Sequence, residues 1–353
     1  MRGALTNNRF YHMLRRTCFV RRRLSSIPYA VQLNAVLAYE INELLMRRHR
    51  RAIPSLFRCR NNAKKQVRSC SNFVAIAYNR ILQIVVVKEG IVAIVSVDGV
   101  ENVRDLGGIS VLDDRKVKSG LFFRGANLSG ITPEGARALA HDLGVSLVID
   151  LRVGWETEEK PDVPIPGVEY VHLPFYDKEK VGIDYTEKAQ GTQLVGKDVA
   201  CDPDHFYRHM PNELTAAQTG KVVRLMLQRA LDGKATYVHC SGGKDRAGIA
   251  TLCLLTVLGA SEQAILDDYL LTNISRDKHI DEMFQRFLRL SGGDKRIAWE
   301  VTNSHAARPE NLEAYRDSVA KRYGSMDAFV EDILGIDPAL MFQAREFLTE
   351  PCA

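Results

Sequence analysis

The sequence contains no acidic residue before Glu40, although the 353-residue chain carries 43 Asp and Glu in total. Residues 1–80 hold 17 Lys and Arg against two glutamates, and the remaining residues hold 31 basic against 41 acidic side chains. An Arg-rich, acid-free start is typical of a mitochondrial transit peptide, and a poorly ordered basic arm is the other interpretation. We therefore predict an N-terminal extension over residues 1–95 and one folded domain over residues 96–353, in the cytoplasm or in mitochondria.

Long apolar runs are also absent, because no stretch of eighteen or more apolar residues is free of charge. We therefore expect no integral membrane segment. The most apolar stretch, residues 81–97, contains Lys88, Glu89 and Gly90 at its middle, which predicts two short strands joined by a turn. The basic excess lies in a segment that carries no DNA-binding motif, so no nucleic-acid partner is expected either.

The cysteine pattern excludes two classes of small-domain scaffold. The seven cysteines are widely spaced and form no Cys-x-x-Cys pair. This argues against a disulfide framework and against a structural zinc site. A reducing compartment is the default for such a chain. A cysteine with a chemical role should therefore act singly.

Beyond residue 97, short apolar runs alternate with amphipathic segments that often end at glycine. Residues 145–151, 168–173 and 236–239 predict strands, and the first and third are too continuously apolar for a sheet with one solvated face. The fold class is therefore α/β, with a central, mostly parallel sheet flanked by helices and a wholly helical C-terminal tail. Residues 176–204 are polar and too long for a simple connection, which predicts a lid or binding loop. Helices are predicted over residues 132–144, 215–233, 247–259, 262–271, 277–290, 309–323, 326–334 and 338–348.

The most informative segment, residues 236–248, reads Thr-Tyr-Val-His-Cys-Ser-Gly-Gly-Lys-Asp-Arg-Ala-Gly. It joins a predicted buried strand to a predicted helix, and its glycines allow the backbone to curl with amides around an anion. A phosphate monoester carries almost two negative charges near neutral pH, so its site needs several N–H donors and a bidentate cation, which Arg246 can supply. The predicted phosphate-binding residues besides Arg246 are Ser241, Gly242, Gly243, Lys244, Ala247 and Gly248.

The same positive potential should favour the thiolate form of Cys240, which is the nucleophilic form. Cys240 would attack phosphorus while Arg246 and the loop amides hold the equatorial oxygens, and the cysteinyl-phosphate would then be hydrolysed. This chemistry requires no metal and no cofactor. A nucleotide-binding Walker loop is excluded, because Val238 and Asp245 stand where it needs Gly and Ser or Thr.

Residues 239–246 resemble the His-Cys-x-x-Gly-Lys-Asp-Arg loop of the atypical protein tyrosine phosphatases typified by secreted mycobacterial and listerial enzymes. Residues 102–108 are similar to that family's Asn-Phe-Arg-Asp-Leu-Gly-Gly opening. Residues 121–128 and 148–152 are similar to its Phe-Arg-Ser-Ala and Asp-Leu-Arg segments. The four motifs stand in the family's order, and the resemblance spans roughly residues 97 to 350.

The resemblance implies a cysteine-based phosphatase fold and activity on phosphotyrosine, with relatives that also accept phosphoserine, phosphothreonine or phosphoinositides. The substrate would be a phosphorylated protein or a phosphoinositide. Asp245 is the favoured general acid and Asp177 the second candidate, since a carboxyl beside a bound dianion should have a raised pKa. Lys244 is expected at the mouth of the pocket, where it would add positive charge for a second phosphate.

Two departures from the family pattern leave alternatives open. Many members have Thr after the loop Arg, where its hydroxyl helps to expel the thiolate, whereas this chain has Ala247. A catalytically weak, phosphate-recognising pseudophosphatase is therefore one alternative function, and a phosphoinositide phosphatase is the other. Gly242 replaces a common Ala, which should loosen the loop.

Other residues near these motifs are expected to support the structure or fit two roles. We expect His239 to order the loop and Cys253 to be an inert buried residue. The pairs Asp150 with Arg152 and Arg104 with Asp105 fit a functional role and a structural network equally well.

Overall fold

The structure is a computed structural model that describes residues 94–175 and 204–352. The basic extension, the predicted lid, Asp177 and four of the seven cysteines lie outside the described residues. Most of the predicted hairpin over residues 81–97 lies outside them as well. The domain boundary after residue 95 therefore stays a prediction.

A five-stranded sheet forms the centre of the described part and has the order β1-β4-β7-β5-β6. The last four strands in this order run parallel, and β1 pairs antiparallel with β4 at one edge. The predicted α/β class with a mostly parallel sheet is therefore confirmed. The strands of the described residues are β1 (Arg104–Asp105), β2 (Ser110–Val111), β3 (Arg115–Val117), β4 (Phe122–Gly125), β5 (Val145–Asp150), β6 (Glu169–His172), β7 (Ala235–His239) and β8 (Thr349–Pro351).

The central strand β7 determines where a site can form. Its last residue, His239, is in register with Gly125 of β4 on one side and with Asp150 of β5 on the other. The segment that follows β7 therefore leaves the sheet between the carboxyl ends of two parallel neighbours. In parallel α/β sheets this edge is the usual place for a ligand.

Helices cover both faces of this sheet, and the predicted helices are confirmed to within a few residues at their ends. Two described helices, α2 and α8, were not predicted. The helices are α1 (Pro133–Arg137, continued by a π-helical turn Ala138–Asp142), α2 (Gly154–Glu159), α3 (His205–His209), α4 (Glu213–Leu231), α5 (Asp245–Leu258), α6 (Glu262–Ser275), α7 (Asp277–Leu290), α8 (Lys295–His305), α9 (Pro309–Tyr323), α10 (Met326–Ala328, continued by a π-helical turn Phe329–Ile333) and α11 (Pro338–Phe347).

The prediction of a wholly helical C-terminal tail is wrong at its end. Strand β8 pairs antiparallel with β3 in a second, three-stranded sheet of order β2-β3-β8. Side-chain contacts stabilise this pairing, because Arg115 Nε donates to Thr349 Oγ1 at 2.6 Å. A three-residue strand is too short to show alternating polarity, so its sequence carries no signal.

Helix α5 packs at the core of the domain. Its side chains Leu252, Leu254 and Leu255 are fully buried, and each contributes about 1.5–3 kcal/mol through burial of apolar surface. The sheet separates two hydrophobic clusters, with Val238 in the cluster that contains α5 and Tyr237 in the cluster on the other face. Among the described residues, no helix has the length and hydropathy needed to cross a membrane.

Candidate functional site

The segment that follows β7 begins at Cys240 and passes into the first turn of α5 at Asp245. The helix begins two residues earlier than the sequence predicts, because Gly248 N donates to Lys244 O at 2.8 Å. We call residues 240–246 the Cys240 loop. The Cys240 side chain is 2% exposed and belongs to the cluster that packs against α5.

The carbonyl groups of the Cys240 loop are bound by residues outside it. The carbonyls of four consecutive residues each accept a side-chain hydrogen bond: Ser241 O from Asn127 Nδ2 (2.8 Å), Gly242 O from Asn102 Nδ2 (2.9 Å), and Gly243 O and Lys244 O from Arg124 Nη2 (2.8 and 3.1 Å). In a trans peptide unit the C=O and the following N–H point in opposite directions. The N–H groups of residues 242–245 therefore point away from these donors. Such a run of amides on one side of a loop forms an anion-binding concavity.

Glycine is required at one position of this loop. Gly243 has a φ of 68°, in the left-handed region. A Cβ placed there would lie 2.3 Å from the carbonyl carbon and oxygen of Gly125. Both the backbone conformation and the contact with β4 therefore exclude a side chain at this position.

Gly242 has a steric role that the sequence did not reveal. A Cβ at Gly242 would lie 2.6 Å from Arg276 Nη1, which is the end of a flexible side chain. Arg276 thus lies directly against the Cys240 loop, with its Nε 3.4 Å from Glu101 Oε2. The family commonly has Ala at this position. Gly242 lacks the methyl group, which leaves room for the Arg276 guanidinium and gives the backbone more freedom.

Three buried charged side chains form a network next to the Cys240 loop. Asp268 binds Arg104 Nε through Oδ1 at 2.7 Å and Arg124 Nη1 through Oδ2 at 2.6 Å. Burial would raise the pKa of Asp268, but the two guanidinium groups outweigh it and lower that pKa. Arg104 therefore belongs to a structural network. Asp105 is structural too, because its carboxylate accepts hydrogen bonds from the backbone N–H groups of Gly107 and Gly120 at 2.8 and 2.7 Å.

A second buried network lies beneath Cys240. Arg152 Nη2 contacts Asp150 Oδ2 at 2.7 Å and Asp162 Oδ1 at 2.9 Å, and His239 Nε2 lies 3.0 Å from Asp162 Oδ2. Burial would raise the pKa of Asp150, but its hydrogen bond to Arg152 and the charge of His239 lower it to about 2. His239 also contacts the loop, since its Nδ1 lies 3.2 Å from Cys240 O.

The oxygen and nitrogen atoms of Asp150, Asp162 and His239 lie within 4.8 Å of one another and could hold a metal ion. However, the guanidinium of Arg152 already forms ion pairs with both carboxylates. This arrangement fits a charge network that orders the strand end, and it answers the question that the sequence left open for Asp150 and Arg152.

Glu156 on α2 holds the predicted phosphate-binding arginine. Its Oε1 accepts a hydrogen bond from Arg246 Nη2 at 2.8 Å, and its Oε2 contacts Arg246 Nη1. The same carboxylate accepts a hydrogen bond from the Ser241 hydroxyl. Burial would raise the pKa of Glu156, but Arg246 and Ser241 together lower it.

Lys244 is placed differently from the expectation. Its side chain is buried, and Nζ donates to His305 O at 2.9 Å and to Ala306 O at 3.2 Å. Nζ also lies 3.3 Å from Asp245 Oδ1. The ammonium group therefore connects the loop to the end of α8 and does not extend unbound at the pocket mouth.

Asp245 has a lowered pKa in this structure, whereas a raised value was expected beside a bound dianion. Burial would raise the pKa of Asp245, but the charge of Lys244 and the hydrogen bond from Tyr207 outweigh it. The carboxyl group is one-third exposed, with a relative exposure of 35%. The expectation of a raised pKa thus applies only once a phosphate dianion occupies the loop.

Three further predicted positions lie in α5. Ala247 and Gly248 are buried, and a Cβ at Gly248 would come within 3.1 Å of the Tyr269 ring. The N–H of Gly248 donates to Lys244 O and therefore does not donate to a phosphate. Gly248 has a packing role instead. Cys253 is fully buried, and burial raises its pKa to about 12, as suits an inert thiol.

The structure thus brings Cys240, Ser241, Gly242, Gly243, Asp245 and Arg246 into one loop at the carboxyl edge of the sheet. Several residues that support this loop were not singled out from the sequence. Three of them, Asn102, Arg124 and Asn127, lie inside the motifs quoted above, so a signal existed. Glu156, Tyr207 and Asp268 have none, because their partners are 90, 38 and up to 164 residues away in sequence.

Comparison with known proteins places this arrangement in a family. The profile of a family described as the tyrosine phosphatase family matches residues 95–350. The chain is 27% identical over 284 residues to the triple specificity protein phosphatase PtpB of Mycobacterium tuberculosis, covering 72% of this chain and 99% of PtpB.

It is also 31% identical over 149 residues to a tyrosine-protein phosphatase of Nostoc commune, covering 42% of this chain and 47% of that protein. Among solved structures, PTPMT1 in complex with PI(5)P matches at 18% identity with a TM-score of 0.30, covering 57% of this chain and 92% of PTPMT1.

Proposed function

This chain belongs to the tyrosine phosphatase family, and we propose that it hydrolyses phosphate monoesters through a cysteinyl-phosphate intermediate on Cys240. The observation that carries the proposal is the Cys240 loop, whose carbonyls are bound from outside so that the N–H groups of residues 242–245 face the other way. Those amides stand next to a single buried cysteine. No other cysteine of the described residues has such surroundings.

Charge supports the same proposal. Several N–H dipoles, the N-terminus of α5 and the Arg246 guanidinium converge on one loop. Together they favour a phosphoryl dianion in the loop and a thiolate at Cys240. Glu156 and Ser241 hold the Arg246 fork in place before substrate arrives, which reduces the entropy lost on binding.

The first chemical step forms a bond between Cys240 Sγ and phosphorus and breaks the bond between phosphorus and the leaving oxygen. That oxygen takes the proton of Asp245 as it departs. In the second step water attacks phosphorus, gives a proton to Asp245 and displaces the thiolate, which releases inorganic phosphate. Arg246 and the loop amides stabilise the charge on the equatorial oxygens in both steps.

Phosphotyrosine is the substrate class that we propose, because the family is named for it. This chain matches 99% of the length of PtpB, and the triple specificity in that protein's name supports a substrate range wider than phosphotyrosine. We propose phosphoserine and phosphothreonine as further substrates. Ala247 favours slow breakdown of the intermediate, since its side chain offers no hydroxyl beside the leaving thiolate. The catalytically weak alternative thus differs from the main proposal only in the rate of the second step.

The test compares three proteins on a phosphotyrosine peptide. Cys240→Ser should abolish release of phosphate, because a neutral hydroxyl is a far weaker nucleophile at this position. Cys253→Ser is the matched control, since this thiol is equally buried but lies in the middle of α5. We expect the control to retain activity at the temperature where it is folded. Full phosphate release by Cys240→Ser would refute the proposed mechanism.

A further inference from the structure

The candidate general acid is bound by a tyrosine from a different part of the chain. Tyr207 lies on α3 and is 2% exposed, and its hydroxyl donates to Asp245 Oδ1. The same hydroxyl lies 2.6 Å from the Tyr269 hydroxyl, which lies 3.2 Å from Asn311 Oδ1. Asn311 Nδ2 donates to Asp204 Oδ1, so that Asn311 Oδ1 remains an acceptor. We call Tyr207, Tyr269 and Asn311 the tyrosine network.

The tyrosine network can follow the protonation state of Asp245. Two hydroxyl hydrogens serve three contacts, from Asp245 to Tyr207, from Tyr207 to Tyr269 and from Tyr269 to Asn311. When Asp245 is a carboxylate, both hydrogens can point toward it, and the contact between Tyr269 and Asn311, the longest at 3.2 Å, is left without a hydrogen. When Asp245 is protonated, Tyr269 can turn its hydrogen to Asn311. The network therefore stabilises the carboxylate that remains after proton transfer.

The hydrogen bond from Tyr207 also determines which oxygen of Asp245 exchanges protons. Tyr207 and Lys244 Nζ both contact Oδ1. Within residues 94–175 and 204–352, no hydrogen bond or ion pair is found for Oδ2. Because a carboxyl group is planar, fixing Oδ1 also fixes the direction of Oδ2. The carboxyl thus offers Oδ2 to the leaving oxygen.

We propose that Tyr207 is a positioning residue for the general acid, which orients Asp245 through Oδ1 and stabilises its carboxylate once the proton has moved from Oδ2 to the leaving group. This role rests on the proposed function, since it requires Asp245 to act as the acid. Tyr207 does not touch the reacting atoms and acts only through Asp245. Its position at the centre of α3 connects the acid to a helix outside the Cys240 loop.

Other charged groups around Asp245 limit the size of the effect. Lys244 and Arg246, the two sequence neighbours of Asp245, lower its pKa. From packed elements, Tyr207 and Tyr269 approach it, and the ring of His305 on α8 lies near enough to be influenced by Asp245. Burial and the charge of Lys244 lower the pKa of His305 to about 4, so its ring is neutral near pH 7. Removal of Tyr207 should therefore weaken the acid without abolishing it.

The experiment measures kcat/KM, which reports the first chemical step even when the second is slow, for phenyl phosphate and para-nitrophenyl phosphate with Tyr207→Phe, Asp245→Asn and the double variant. Phenolate is the poorer leaving group and needs the proton more. We expect Tyr207→Phe to lower kcat/KM on phenyl phosphate about tenfold, as for loss of a hydrogen bond to a charged group, and on para-nitrophenyl phosphate by less than about threefold. In the Asp245→Asn background the same change should have no leaving-group-dependent effect.

Tyr315→Phe is the matched control. Tyr315 is also fully buried, and its hydroxyl contacts only Cys253 Sγ, at 3.9 Å, among the described residues. This variant should affect both substrates equally. Loss of the Tyr207 hydroxyl should also move the alkaline limb of the kcat/KM profile to higher pH, since the hydrogen bond that stabilises the charged carboxylate is gone.

Two outcomes overturn the inference, and they are distinguishable. Equal losses on both substrates for Tyr207→Phe, beside a leaving-group-dependent loss for Asp245→Asn, would show that Tyr207 is merely structural and would leave the proposed function intact. Equal losses for Asp245→Asn itself would show that Asp245 is not the acid and would remove the basis of both roles.

Discussion

Glu156 forms a two-point ion pair with Arg246, and its carboxylate also accepts a hydrogen bond from the Ser241 hydroxyl. The side chains of Glu156 and Arg246 are only 12% and 9% exposed, so this pair removes two charges from water. A short helix that the sequence did not predict thereby holds the guanidinium that we propose binds phosphate. Helix α2 begins four residues after the end of β5. A short segment therefore connects Glu156, which binds the Cys240 loop, to the buried network at Asp150.

The ion pair predicts a pH-dependent contribution to stability. The pKa of Glu156 is lowered in the folded state, so its contribution is present above the unfolded pKa and is lost as the pH falls through the folded pKa. Glu156→Gln should therefore lower the free energy of unfolding by about 1–3 kcal/mol at pH 7 and by less at pH 4. Urea unfolding at the two pH values measures the difference.

Glu158→Gln provides the control for the Glu156 prediction, since it removes the same charge from the exposed side of α2. Its effect on unfolding should be within about 0.5 kcal/mol at both pH values. A Glu156→Gln effect that is equally small, or that grows as the pH falls, would contradict the structural importance of the pair.

A comparison of Gly243 with Gly233 distinguishes the stability cost of backbone strain from the cost of a steric contact. Both have positive φ, of 68° and 72°, but a Cβ at Gly233 would meet nothing within 4 Å. Gly233→Ala should cost about 1 kcal/mol of stability for the left-handed conformation alone. Gly243→Ala should cost about 1–3 kcal/mol more, because the new methyl group would meet the Gly125 carbonyl.

Thermal or urea unfolding of the two alanine variants tests this prediction, and vanadate binding provides a second measurement. Only Gly243→Ala should lose affinity for the anion, since it displaces the loop amides. Equal destabilisation of the two variants would mean that the loop does not approach β4 as closely as the structure shows.

Much of the fold could be predicted because its signals are local. The strand over residues 145–150, the helix ending at Gly259 and the helix opening at Thr132 are each determined by apolar runs and caps within a few residues. The resemblance drawn from four motifs is confirmed by the family match over residues 95–350. The short strand β8 was missed because its stability depends on pairing with residues 115–117, more than two hundred positions earlier.

The candidate site was predictable only in part, for a related physical reason. Cys240 to Arg246 form one continuous segment, so their proximity follows from sequence alone. The position of the Lys244 ammonium was not predictable, since it depends on carbonyl groups at the end of α8. Likewise, the net pKa shift of Asp245 depends on Tyr207, a partner on another helix.

Ala247 predicts accumulation of the intermediate. If the second step is slow, the leaving group should appear in a burst that approaches one equivalent of enzyme, followed by a slower steady rate. Ala247→Ser supplies a hydroxyl at the position where, by the family resemblance, it helps to expel the thiolate, and it should raise the steady rate while reducing the burst. Stopped-flow measurement with para-nitrophenyl phosphate follows both phases. A steady rate that Ala247→Ser leaves unchanged, without a burst in the parent chain, would refute a slow second step.

The most direct test of the central claim is to quench the reaction with acid during turnover and to map the phosphorylated peptide by mass spectrometry. We predict a phosphate group on the peptide that contains Cys240, bound through sulfur, and its absence in Cys240→Ser and in an acid-quenched sample without substrate. Turnover with no phosphate on any cysteine, or with phosphate on another residue, would contradict covalent catalysis by the Cys240 loop.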